Sequence, residues 1–185
     1  MKKKNNLAID DFKTIFSHYV YQFDKLKYFK ERKNQNDDCI LCSLIENKFD
    51  SLIIGKTCFT ACCVNLYPYN SGHLMIFPVR HVESYLDLKE EESLDLFKLT
   101  QFFMKIIDKI YGPQGYNIGM NIGQFSGASI KHIHQHIVPR FSNELGMIDI
   151  IGGSKVMVES PLTTKKRIID YIKNEITMDF DFELY

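Results

Sequence analysis

An α+β fold is predicted by three observations. Strand-like apolar runs flank one long amphipathic helical pattern, the turns between neighbouring runs suit antiparallel pairing, and a second helical pattern sits near the C-terminus. In chain order, the polar run "KERKNQNDD" (30–38) reads as a loop leading into "CILCSLIENK". "CFTACCVN" reads as a buried strand in which Cys58, Cys62 and Cys63 are small core residues. "LYPYNSGH" supplies turn chemistry through Pro68, Asn70, Ser71 and Gly72, and "HLMIFPV" reads as the returning strand. "DLKEEESLDLFKLTQFFMKIIDKI" is the clearest helix. Asp87 with Glu90 resembles a capping box, and Leu94, Phe97, Phe103 (or Phe102), Ile106 and Ile110 form an apolar stripe. Its start is acidic and its end carries Lys105 and Lys109, which suits the helix dipole, and "YGPQG" stops it. "YNIGMNIG" is then a strand, "QFSGAS" a small-residue loop, "IKHIHQHIVP" a strand, and "PLTTKKRIIDYIKNEI" the final helix.

The bulk numbers narrow the class of function. The 185 residues are 45% hydrophobic and 25% charged, as in an ordinary globular domain. Net charge is zero, so no global field draws the chain to nucleic acid or a membrane surface. No apolar run is long enough to span a bilayer. Asp10 and Asp11 interrupt the place where a signal peptide would be apolar, so a cytoplasmic location is expected. An odd count of five cysteines argues against a disulfide framework.

The chemistry concentrates in "SGASIKHIHQHIVPR", Ser126 to Arg140, which holds His132, His134 and His136, three of the chain's six histidines. On a strand, residues two apart share a face, so the three imidazoles line up and Ile133, Gln135 and Ile137 face the other way. Three adjacent imidazoles gain nothing as core and repel one another if all are protonated, which favours a site. One metal ion does not easily hold all three. The first and third stand roughly 13–14 Å apart on a straight strand, and zinc binds nitrogen at about 2 Å. The three histidines are therefore expected to divide their labour. "CILC", with Cys39 and Cys42, is by itself compatible with redox chemistry, metal binding or simple burial.

"HIHQHIV" resembles the signature of the histidine triad (HIT) superfamily. The likeness extends through "YNSGHLMIFPVRHV", "NIGQFSGASIK" and "VPRF", covering roughly residues 38–160. The resemblance implies a HIT-like antiparallel sheet with the long helix and the C-terminal helix packed on it. It also implies a HIT domain with a C-terminal tail over 38–185, preceded by an extension over 1–37. It makes His134 the nucleophile toward an α-phosphorus and His136 the residue at the phosphate and leaving-group oxygens. Gly127, Ala128 and Ser129 become a phosphate cradle, and Asn121 part of the phosphate and ribose pocket. Zinc-containing relatives imply a structural zinc held by Cys39, Cys42, His81 and His132, a closed Cys2His2 set. His73 stays outside that set. A homodimer with a sheet continued across the interface is also implied.

One departure selects among branches. Hydrolase and phosphoramidase branches carry glutamine where this chain has Ala128. "GAS", "HQHIVPR" and "IDIIGGSKV" instead resemble the diadenosine tetraphosphate phosphorylase type, in which Phe141 stands at a position often held by tryptophan. That type takes a nucleotide substrate and phosphate, and yields ADP and ATP through an adenylyl-histidine intermediate. Two alternatives stay open: a hydrolase of dinucleoside polyphosphates or adenosine phosphoramidates, and a nucleotide-binding sensor with little turnover.

Overall fold

The computed structural model describes residues 39–46, 52–142, 144–153, 155–177 and 180–185. The extension expected over residues 1–37 lies outside the described residues. The elements in chain order are α1 (Ile40–Glu46), β1 (Ile53–Lys56), β2 (Thr60–Val64), β3 (Leu74–Pro78), α2 (Glu90–Tyr111), β4 (Gly115–Met120), β5 (Gln135–Arg140), α3 (Met147–Gly152), α4 (Pro161–Glu175) and β6 (Glu183–Leu184). Two 3-10 turns, Tyr85–Asp87 and Gln124–Ser126, precede α2 and follow β4.

The strands form one antiparallel sheet in the order β4-β5-β3-β2-β1-β6. Both faces of its centre are covered, which is why β2 and β3 are buried at every position rather than alternately. Ile54, Cys62, Val64, Leu74, Ile76 and Ile137 face the helical layer and meet Leu99, Phe103, Ile106 and Ile107 of α2 and Ile168 and Ile172 of α4. Ile53, Ala61, Cys63, Met75 and Phe77 face the other way and meet Leu41 of α1. The "CILC" segment is thus a short helix capping the second face of the sheet. Opposite it, β6 pairs with β1 so closely that a Cβ on Gly55 would stand 2.5 Å from the Glu183 carbonyl oxygen. Glycine is required there by backbone approach.

Several expectations need correction. Cys62 and Cys63 are buried, but Cys58 is exposed, because it sits in the bend between β1 and β2 rather than in a strand. "MIDIIGG" forms α3. The cap of α2 is shifted from Asp87 and Glu90. The Glu92 carboxylate accepts the Lys89 N–H at 2.9 Å and takes both Arg80 Nε and Nη2 at 2.8 Å, while Asp87 ends a turn capped by Ser84. The apolar stripe is shifted as well. Leu96, Leu99, Phe103, Ile106 and Ile107 are buried, whereas Leu94 is 52% and Phe97 59% exposed. Both alignments have helical spacing, and only the sheet decides which one is inward.

The helix phase yields a paired test. Phe103→Ala is expected to lower unfolding free energy by about 3–5 kcal/mol, since it empties a fully buried site. Phe97→Ala is expected to stay within about 0.5 kcal/mol. Denaturant titration of both variants checks the pair, and comparable losses would place Phe97 inward.

Candidate functional site

The histidine segment is not one strand. β5 begins at Gln135, and His132 and His134 precede it. The ladder stops for a stated reason. Ile76 pairs with Gln135, and the same register would set Phe77 opposite His134 and Pro78, which has no N–H to donate, opposite Ile133. Ahead of β5 the chain is held instead by the Ile133 N–H, which donates to the Val82 carbonyl at 2.7 Å. The continuous strand expected through all three histidines is therefore corrected: of the three, only His136 belongs to the ladder, opposite Met75 and Gly119, while His134 packs edge-on to His136 and His132 edge-on to Phe77 on the Met75–Phe77 side. Gln135 points into the helical layer, where its amide donates to Thr100 Oγ1 of α2 at 2.7 Å. The polar residue that interrupts the motif is a tether between the histidine strand and the long helix.

His134 is 3% exposed, and its Nδ1–H donates to the main-chain carbonyl of His132 at 2.8 Å. That bond fixes the proton on Nδ1 and leaves the Nε2 lone pair free. Its ring lies edge-on to His136, with centroids 4.9 Å apart. His136 is ordered from behind by His73. The Tyr69 N–H donates to His73 Nδ1 at 3.0 Å, so the His73 proton sits on Nε2 and donates to His136 Nδ1, also at 3.0 Å. The remaining proton of neutral His136 is thereby placed on its Nε2. This directional chain starts at a backbone amide, which cannot reverse. His73 is only 1% exposed and carries this order. "SGH" was the signal that could have found it. Tyr69 packs over both rings, with centroids at 4.9 and 6.1 Å.

Electrostatics keep the group neutral. Burial, then the charges of His136 and His134, pushes His73 down to about 3. Burial, then His134, pushes His136 down to about 4, and burial also lowers His134. A neutral imidazole with a free Nε2 beside a second imidazole with a proton on Nε2 is a nucleophile next to a hydrogen-bond donor for phosphate oxygens.

The other expected residues fall into two groups. Asn121 follows β4 directly, and Gly127, Ala128 and Ser129 lie on the loop before the histidines, with Gly127 at φ 94 where a side chain is strained. Phe141 lies beyond the far end of β5, five residues or about 16 Å of extended chain from His136. It lines a cavity of about 490 Å³ with Asn70, Tyr111, Lys155 and Arg167.

Cys39, Cys42, His81 and His132 come together in a separate cluster, their ligand atoms all within 4.8 Å of one another. Cys39 and Cys42 Sγ stand 3.4 and 3.6 Å from His132 Nδ1, and Cys42 Sγ stands 3.5 Å from His81 Nδ1. A sulfur and a nitrogen bound tetrahedrally to one zinc, at about 2.3 and 2.0–2.1 Å, are about 3.5–3.6 Å apart. The donor set therefore fits zinc in type and spacing. His81 Nε2 lies 3.4 Å from the Glu83 carboxylate, so its proton belongs on that side and the Nδ1 lone pair faces Cys42. Burial, then His81, pushes His132 down to about 4, the neutral form a metal requires. Partial burial, then Cys39, raises Cys42 to about 11, so metal binding there displaces a proton.

Comparison with known proteins identifies the family and the fold. The sequence profile of the HIT domain matches residues 46–143. The AP-4-A phosphorylase of Mycobacterium tuberculosis is 38% identical over 118 residues, which cover 63% of this chain and 60% of that protein. The chain thus spans less than two thirds of the length of this relative. The asymmetrical bis(5'-nucleosyl)-tetraphosphatase of Schizosaccharomyces pombe is 32% identical over 101 residues, 55% of this chain and 56% of that protein. A crystal structure of a zinc-bound histidine triad family protein from Mycobacterium smegmatis shares the fold at TM-score 0.58 and 18% identity, covering 75% of this chain and 98% of that one.

The depressed histidines make stability pH-dependent. The unfolded chain takes up protons near pH 6.5, whereas folded His73 and His136 resist until about 3 and 4. Their contribution is whole above about pH 6.5 and is lost as pH falls toward 4. With a chelator present, so that metal loss plays no part, denaturant unfolding is expected to show about 6 kcal/mol less stability at pH 4 than at pH 7, about half from each histidine. A flat profile would mean that these imidazoles titrate normally.

Proposed function

Since the chain belongs to the HIT domain family, we propose that it is a nucleotidyltransferase that cleaves diadenosine tetraphosphate with inorganic phosphate, giving ADP and ATP. The observation that carries the reading is the bond from His134 Nδ1–H to the His132 carbonyl, with His136 alongside. His134 Nε2 attacks the α-phosphorus in line. The bridging P–O bond on the far side breaks, and ATP departs with its terminal oxygen accepting a hydrogen bond from His136 Nε2–H, which keeps its proton. A phosphate oxygen then attacks the adenylyl-histidine, the P–N bond breaks and returns its electron pair to His134 Nε2, and ADP forms as the incoming phosphate's proton passes to solvent. His73 keeps its own proton throughout and holds His136 in the donating orientation. Asn121 and the Gly127–Ser129 loop are the proposed phosphate and ribose contacts, and Phe141 is proposed to meet a base. Phosphate rather than water as second acceptor is supported by the 38% identity to a phosphorylase and by Ala128. The 32% identity to a tetraphosphatase supports hydrolysis as the second reading.

Cys39, Cys42, His81 and His132 would hold the zinc, with Glu83 behind His81. A closed set of this kind supplies a structural cross-link and no open coordination position. The active form is proposed to be a cytoplasmic homodimer.

Two experiments test the reading. Product analysis on diadenosine tetraphosphate, with and without phosphate, is expected to give ADP plus ATP only when phosphate is present. AMP plus ATP formed without phosphate would favour the hydrolase instead. His134→Ala is expected to lower turnover by at least about 10⁴-fold while the melting transition survives, and undiminished turnover would remove His134 from the chemistry.

A further inference from the structure

We propose that the metal cluster positions the nucleophile, with His132 as the shared residue: its side chain belongs to the metal set and its main-chain carbonyl holds the His134 proton. This rests on the nucleotidyl-transfer and zinc readings above.

The carbonyl that fixes the tautomer of His134 lies outside the sheet ladder, because β5 begins at Gln135. A carbonyl within a ladder is held by its neighbours on both sides. Among the described residues, this stretch is tied by one backbone bond, Ile133 N–H to Val82 carbonyl. That bond joins the residue after one imidazole of the metal set, His132, to the residue after the other, His81. A second restraint is the His132 ring itself, beside the buried Ile133 side chain. It is fully buried, edge-on to Phe77 and His81, with Nδ1 turned to Cys39 and Cys42. Coordination of that ring and of His81 ties the two ends of the Ile133–Val82 connection to one point. The His132 carbonyl is then fixed in space, and through it His134 Nδ1–H. Released from coordination, the His132 ring is a neutral buried imidazole beside two thiols, held by its packing against Phe77 and His81 and no longer bonded to Cys39 and Cys42. Reactive groups displaced by about 1 Å lose on the order of 100-fold in rate.

The effect belongs to kcat. None of Cys39, Cys42 or His81 is among the proposed substrate contacts, so substrate affinity has no reason to follow metal occupancy. His132 is a positioning residue in this account.

The test uses the full chain, zinc-loaded, metal-stripped and reloaded, together with His81→Asn. It reads zinc content, kcat and KM separately, and the ¹⁵N spectrum of the His134 imidazole. Stripping and His81→Asn are each expected to lower kcat about 10- to 100-fold with KM within about twofold, and to abolish the protonated-Nδ1 signature of His134. Zinc should restore the wild type and not the variant. A metal-free protein that keeps both kcat and the Nδ1–H signature would overturn the proposal. So would a wild type that binds no zinc, but that result defeats the metal reading itself and leaves nucleotidyl transfer standing. If stripping unfolds the chain by circular dichroism, Glu83→Gln serves instead. It leaves all four ligands in place and is expected to weaken zinc about tenfold. In a zinc titration of that variant kcat should track occupancy while KM does not, and a kcat independent of occupancy would sink the idea.

Discussion

The site depends on one hydrogen bond, from His134 Nδ1–H to the carbonyl of His132. An imidazole has two nearly equivalent nitrogens, and an in-line attack on phosphorus needs the lone pair on a chosen one. A main-chain carbonyl makes that choice without a carboxylate, so no extra negative charge faces an incoming polyphosphate. The second imidazole is ordered the same way. The Tyr69 amide fixes His73, and His73 fixes His136. Both assignments begin at main-chain groups and hold while the side chains stay neutral, which burial ensures.

The fold places these groups by covering the two faces of one sheet differently. The helical layer takes Ile137 and, through Thr100, the amide of Gln135. The opposite face carries His136 beside Met75, and further along β3 the cluster of Phe77 and Leu41. Breaking the β5 ladder before His134 lets the chain turn from one environment to the other. His132 then sits with α1 and the cysteines, while His134 and His136 sit together at the strand start.

Much of this was legible in the sequence, and the residues show where legibility ends. That the three histidines would not share one site followed from spacing, and His132 does lie in a different cluster from His134 and His136; the HIT likeness followed from "HIHQHIV" and its flanks. The Cys39–Cys42–His81–His132 grouping came from that likeness, and these four side chains converge. What could not be read was phase. Leu94 and Phe97 share the helical period of Leu96 and Leu99, and only docking onto the sheet chooses between them. Nor could the sequence show that the histidine strand is interrupted, since that depends on where its pairing with β3, from another part of the chain, ends. The role of His73 depends on a bond between residues 63 positions apart. Cys58 joined the core in the sequence reading because its neighbours are apolar, but a bend turns it outward.

The most direct test of the central claim is to trap the intermediate. Rapid quenching of the protein with diadenosine tetraphosphate, without phosphate, followed by peptide mass spectrometry should find one adenylyl group on His134, and a chase with phosphate should release it as ADP. An adenylyl group on another residue, or turnover with no adduct at any quench time, would contradict the account.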